Sequence, residues 1–174
     1  MVRSSSSTRR SLIAVASLAF VAGCDDKNFF PNVVTPPVVN AGFLQTNLVS
    51  DLTSTSARLV DPNLVNPWGI AFGTTGALWV ANNGTGTSTV YDASGTKQNI
   101  TVTIPGADPN APGVPTGIVF NGTADFAIPN VGPSAFLFAG EDGTVAAWGP
   151  GMTAAVVVIN RTANDAVYKG ITMA

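Results

Sequence analysis

Asn66-Pro67-Trp68-Gly69-Ile70-Ala71-Phe72 is the stretch that decides the fold, because the chain repeats it twice. Val114-Pro115-Thr116-Gly117-Ile118-Val119-Phe120 and Val167-Tyr168-Lys169-Gly170-Ile171-Thr172-Met173 share its Gly-Ile-x-apolar core. The three glycines stand 48 and 53 residues apart, a period that accommodates a unit of four short strands. A repeat of that length outranks any single-residue signal in setting an architecture.

The strands of each unit follow from alternation and turn residues. In the first unit Gly69 to Phe72 alternates, Gly73-Thr74-Thr75-Gly76 turns, and Ala77 to Ala81 is a second strand. Asn82-Asn83-Gly84 is a hairpin signal because Asn and Gly both tolerate positive φ. Ser88 to Tyr91 is the third strand, Asp92 to Gly95 a turn, and Gln98 to Ile104 the fourth strand. The second unit runs in the same way through Gly117 to Phe120, an Asn121-Gly122 turn, Ala135 to Ala139, a Glu141-Asp142-Gly143 turn, Thr144 to Trp148, and Ala154 to Ile159. Ala127 to Pro133 is an irregular loop rich in proline. The expected fold is all-β, a partial β-propeller with two four-stranded blades and the first strand of a third. The break falls inside a repeat, which points to a truncated copy of a longer protein; several chains completing one ring is the alternative.

Composition agrees. A chain of 174 residues, 45% hydrophobic and 10% charged, is too apolar for a disordered polymer, and its 18 Gly and 12 Pro suit short strands and tight turns better than long helices.

The N-terminal segment carries a different message. MVRSSSSTRR (residues 1–10) is basic and polar, and Ser11 to Ala22 is an apolar run too short for a membrane-spanning helix, so residues 1–23 read as a signal peptide. Val21-Ala22-Gly23-Cys24 resembles the bacterial lipobox, making Cys24 the lipidated N-terminus of the mature chain. Cys24 is the only cysteine, so no internal disulfide is available, and lipidation gives the thiol its use. Thr8-Arg9-Arg10-Ser11-Leu12-Ile13 also looks like a twin-arginine signal, and the Sec and twin-arginine routes both stay open. Residues 24–42, with Pro31, Pro36 and Pro37, read as a tether, in which Phe29 and Phe30 are incidental to a spacer or touch the membrane interface. The domain of interest is then 43–174, exported and lipid-anchored in the bacterial cell envelope, on the periplasmic or the outer face.

From Cys24 onward five basic residues, Lys27, Arg58, Lys97, Arg161 and Lys169, face ten acidic ones. A net charge of −5 without a basic stripe argues against nucleic acid, and without a Lys/Arg cluster any membrane attachment must come from lipid.

Several phrases together carry a family resemblance: Phe43 to Asp51, Asp61 to Ile70, Trp79-Val80-Ala81-Asn82-Asn83-Gly84-Thr85-Gly86, Pro115 to Gly122, and Glu141-Asp142-Gly143-Thr144. They resemble an uncharacterised family of exported bacterial proteins with NHL-like propeller repeats, whose members are usually longer. The resemblance implies a propeller and a truncation, and it brings no activity with it.

The absence of histidine from the chain removes Ser-His-Asp and Cys-His catalysis and His-ligated zinc. Gly84-Thr85-Gly86 and Gly149-Pro150-Gly151 are turns, lacking the spacing of a phosphate loop. Propellers that act as lactonases hold calcium through Glu, Asn and Asp oxygens, and here Asn82, Asn83, Asn121, Glu141 and Asp142 are the candidate donors. Each lies in a turn signal, where backbone preference alone favours Asn and Asp, so turn chemistry outweighs metal ligation. Asp61-Pro62-Asn63 reads likewise as a turn. Trp68, Trp79 and Trp148 are read as packing between blades ahead of stacking on a ligand.

The resulting expectation is a cell-envelope binding or scaffold module for a protein or glycan partner, without catalytic residues, and a homo-oligomer if chains complete the ring. The alternatives are a calcium-dependent lactonase-like hydrolase and an inactive remnant.

Overall fold

A computed structural model of the chain describes residues 42–174. The signal peptide, Cys24, Phe29 and Phe30, and the tether up to residue 41 lie outside the described residues. Everything below concerns Leu44–Ala174, one compact unit.

An entry arm comes first. β1 (Val49–Ser50) pairs in parallel with β2 (Leu59–Val60) around a 3-10 turn at Thr53–Thr55. Then β3 (Pro67–Phe72), β4 (Leu78–Asn82), β5 (Thr87–Tyr91) and β6 (Lys97–Thr103) form an antiparallel meander in which each strand bonds to the next. The second sheet has the same order of use: β7 (Pro115–Phe120), then, beyond a small hairpin of β8 (Ala127–Ile128) and β9 (Gly132–Pro133), β10 (Phe136–Gly140), β11 (Thr144–Trp148) and β12 (Val156–Asn160). All eight strands expected for the two complete units are present within two residues at each end, and the described chain is all-β with two four-stranded antiparallel sheets.

Three details differ from expectation. Ala127 to Pro133 contains a hairpin, because Asn130 at φ 62° and Gly132 at φ 113° turn the chain back between the two prolines. After β4 the turn lies later than expected, over residues 83–86: Asn82 ends the strand, Asn83 and Gly84 turn, and the positive φ belongs to Gly86 at 62°. Gly84 is needed for a different reason, since a Cβ there would lie 2.6 Å from a methyl of Val65. The third copy of the repeat, Gly170 to Met173, joins no ladder among the described residues.

The alternation of each strand sorts residues to two faces. Registers Ala71↔Trp79↔Val90 and Gly69↔Ala81↔Ser88↔Val102 put one set on the face of the first sheet that meets the second. Registers Ile118↔Phe138↔Ala146 and Phe120↔Phe136↔Trp148 supply the opposing face. Trp79, Ala81, Val90, Val102, Ile118, Phe136, Phe138 and Trp148 close into a single core. Trp79 stacks on Phe136 at 4.1 Å between ring centres and lies 4.8 Å from Trp148, while the Trp148 indole N–H donates to the Met152 carbonyl at 2.7 Å. Trp79 and Trp148 are thus packing residues, with the indole proton of Trp148 satisfied as burial requires.

The repeat glycine sets how closely neighbouring units approach. A Cβ on Gly69 would lie 2.8 Å from the Thr116 carbonyl oxygen and 2.9 Å from the Ile118 nitrogen, so β7 is seated directly against β3. A Cβ on Gly117 would lie 2.7 Å from the Ile171 nitrogen, so the third copy is seated against β7 in the same way. Ile171 and Met173 then cover Leu137 and Ala147 on the far face of the second sheet.

Candidate functional site

Because β3 and β4 are antiparallel, the residues entering β3 stand beside those leaving β4. Asn83 donates its backbone N–H to the Asn66 carbonyl at 3.1 Å, and Glu141 does the same to Val114 at 3.1 Å. Asn83 and Glu141 are therefore matched positions of the two units, at one end of the sheets. Trp68 and Lys169 are matched too, each preceding its repeat glycine.

The side chains of this end form a closed circuit. The Trp68 indole N–H donates to Asn66 Oδ1 at 3.1 Å, Asn66 Nδ2 to Asn83 Oδ1 at 3.1 Å, and Asn83 Nδ2 to Glu141 Oε2 at 3.0 Å. Lys169 Nζ donates to Glu141 Oε1 and sits 5.3 Å from the centre of the Trp68 ring, completing it through a cation–π contact. Lys169 and then Asn83 hold the Glu141 carboxyl below its ordinary range. The circuit faces water: Trp68 is 46% exposed. It offers an aromatic face, a carboxylate, an ammonium and two amides within one span, the groups that engage a polar ligand by stacking and hydrogen bonding.

A second polar cluster is structural. Asp61, buried, accepts from the Tyr91 hydroxyl at 2.6 Å and from the backbone and side chain of Asn63 at 3.0 and 3.1 Å, and pairs with Lys97 at 2.7 Å. Burial pushes the Asp61 carboxyl up, but Lys97, Tyr91 and Asn63 outweigh it and hold it at about 2. Burial and Asp61 push the Tyr91 phenol above its ordinary range. Asp61-Pro62-Asn63 is thus a turn, as expected, and also the pin that fixes the entry arm to the first sheet. Next to it lies an open apolar groove of about 350 Å³ lined by Leu48, Leu64, Ile70, Leu78, Val80 and Tyr91, among others.

Of the five candidate oxygen donors, only Asn83 and Glu141 come together. Asn82 is fully buried and donates to the hydroxyls of Thr87 and Thr89 at 3.2 and 2.9 Å. Asn121 is bound within the loop after β7, donating to the carbonyls of Asp125 and Ser134 at 2.8 and 2.9 Å. Asp142 accepts from the Ala107 N–H at 2.7 Å and from the Thr144 hydroxyl at 2.7 Å. Among the described residues no three His, Cys, Asp or Glu side chains converge as a metal site, and no helix is long and apolar enough to cross a membrane. Sequence reasoning passed over Asn66 and Lys169; aligning the three repeats on their glycines, and so matching Lys169 with Trp68, was the signal that could have found the second.

No family model matches the chain. It is 38% identical over 135 residues to Uncharacterized protein R648 of Acanthamoeba polyphaga mimivirus, covering 73% of this chain and 33% of that protein. It is 36% identical over 121 residues to Uncharacterized protein L690 of the same virus, covering 66% of this chain and 32% of that protein. These relatives overturn the resemblance to an exported bacterial family with NHL-like repeats. The phrases that carried it, Gly-Ile after a proline and Asp-Gly-Thr between strands, are close-approach and turn residues that many meanders of short strands need, so they do not diagnose a family. What the comparisons establish is likeness to part of two uncharacterized viral proteins, of whose length this chain spans about a third.

Proposed function

We propose that the chain is a non-enzymatic binding or scaffold module whose two sheets are successive blades of a β-propeller, with the circuit of Asn66, Trp68, Asn83, Glu141 and Lys169 as its ligand platform. The observation that carries this reading is the convergence of exposed, mutually oriented groups from three repeats at one end of the sheets. Seating of β7 at Gly69 and of Ile171 at Gly117 supports the blade arrangement, because each unit is related to the next through the same close approach. The partner is a glycan or peptide segment of the cell envelope, stacked on Trp68 and bound through the amides and Glu141. Export and lipid anchoring through Cys24 are part of the proposal, supported by the Val-Ala-Gly-Cys ending of the apolar run.

Fluorescence titration of the full chain with envelope oligosaccharides and peptides tests the platform. Trp79 and Trp148 are buried and act as an internal reference, so a ligand should change only the exposed Trp68 component. Trp68→Ala should abolish that binding and Trp68→Phe should retain part of it. A ligand whose affinity is the same for wild type and Trp68→Ala contradicts the platform. For the anchor, labelled fatty acid should enter the wild-type chain in a bacterial host and fail to enter Cys24→Ser; label in both would refute it.

A further inference from the structure

Resting on the reading of the circuit as a ligand platform, we propose that its ligand is an arginine side chain of a peptide or protein partner, which replaces the Lys169 ammonium between Trp68 and Glu141. Lys169 is then a built-in competitor that the partner displaces. The hydrogen bonds of the circuit all run one way: the Trp68 indole N–H donates to Asn66, Asn66 to Asn83, and Asn83 to Glu141 Oε2. This chain of donors ends on a carboxylate, whose other oxygen, Oε1, takes the Lys169 ammonium. The same ammonium lies 5.3 Å from the centre of the Trp68 ring. An aromatic ring and a carboxylate that share one cation are the two features that recognise a positive group, and here the chain itself marks the position such a group takes.

Lys169 is placed to be displaced. Its side chain is 57% exposed and that of Glu141 30%, and an exposed ion pair costs little to open. The backbone beside it is fixed: the Tyr168 N–H donates to the Gly140 carbonyl at 3.3 Å, and the Thr116 hydroxyl donates to the Tyr168 carbonyl at 2.8 Å. Opening the site therefore needs only new rotamers of one flexible side chain. Arginine is the better occupant because its planar guanidinium stacks on an indole, is more weakly hydrated than an ammonium and still donates to Oε1. An anionic ligand would meet the Glu141 carboxylate, and a neutral glycan would stack on Trp68 without answering that charge once Lys169 has left. The net charge of −5 from Cys24 onward favours a cationic partner at long range.

Trp68 fluorescence of the full chain in a mild nonionic detergent, titrated with an end-blocked Gly-Arg-Gly peptide, tests this. The controls are the same peptide with citrulline, which keeps the shape of arginine without its charge, and a neutral oligosaccharide of N-acetylglucosamine. The arginine peptide should bind at least ~10-fold more tightly than the citrulline one, about 1.4 kcal/mol. Lys169→Met keeps the aliphatic stem and removes the competitor, so it should tighten arginine binding at least ~3-fold. Glu141→Gln should weaken that binding at least ~10-fold, with circular dichroism like that of wild type because the change is at the surface. Equal affinity for the two peptides, or weaker arginine binding in Lys169→Met, would overturn the proposal. Binding of the oligosaccharide alone at Trp68 overturns it too and leaves the platform standing; no response of Trp68 to any of the three probes removes the platform and the proposal with it.

Discussion

The two sheets are built to one plan and buried to different degrees. Both are four-stranded meanders opening on Pro-x-Gly-Ile, yet β7 reads as buried along Pro115 to Ile118 while β3 leaves Trp68, Ile70 and Phe72 open to solvent. The strand sequences do not account for this, since Gly-Ile-Ala-Phe is as apolar as Gly-Ile-Val-Phe. The difference is the neighbour: among the described residues the second sheet has the first in front of it and the third repeat behind, whereas the outer face of the first sheet meets the short entry arm pinned by Asp61. Position in an array, rather than composition, decides which copy of a repeat becomes core.

The sharpest way to break that comparison is to truncate matched aromatic residues. Phe136→Ala removes a ring from the Trp79–Trp148 cluster and should cost about 3–5 kcal/mol in urea unfolding. Phe72→Ala, on the exposed counterpart strand, should stay within about 0.5 kcal/mol in the single copy. Equal losses would mean that β3 is covered after all.

Next come the glycines. Gly69→Ala and Gly117→Ala push a methyl into backbone atoms under 3 Å away and should each cost about 1–3 kcal/mol as overpacking. Gly170→Ala, the same change at the third repeat, should be neutral in thermal unfolding of the monomer. A comparable loss there would show that Gly170 is packed as closely as the other two repeat glycines.

The entry arm gives a pH test. Asp61 is held at about 2, below the ordinary aspartate value of 3.8, so its contribution is complete above about pH 4 and is lost as pH falls towards 2. By linkage this amounts to roughly 2 kcal/mol. Denaturant midpoints should fall over that window, and Asp61→Asn should flatten this part of the profile while lowering stability at neutral pH. An unchanged slope in Asp61→Asn would show that other carboxylates govern acid unfolding.

Smallest of all should be Glu141→Gln. It breaks an exposed ion pair, so the urea midpoint should fall only slightly, and the change in salt dependence should be correspondingly small. A loss as large as that of Gly69→Ala would mean that the circuit supports the fold as well as presenting a surface.

Much of this was legible in the chain. Period-two alternation between Gly, Asn and Asp turns located the eight strands, because side chains on a half-buried strand must alternate and tight turns need residues that accept positive φ or cap their own backbone. Asn83 and Glu141 were legible as oxygen donors, but their meeting was not, since they are 58 residues apart. Asn66 and Lys169 carry no local signal for the circuit, and the Ala127–Pro133 hairpin was hidden by prolines that usually interrupt a strand.

The sequence by itself determined the repeat, the strand order and the all-β class, and within the N-terminal segment it encodes the apolar run ending at Cys24. Those properties depend on neighbours a few residues away or on a period that recurs along the chain. Only the tertiary structure decided which face of which sheet is covered, that Asp61 is a buried pin, that Trp68 stays at the surface while Trp79 and Trp148 form core, and that five polar residues from three repeats meet at one end. Burial and convergence are set by what packs across from a residue, and for these sheets the answer lies in another copy of the same motif.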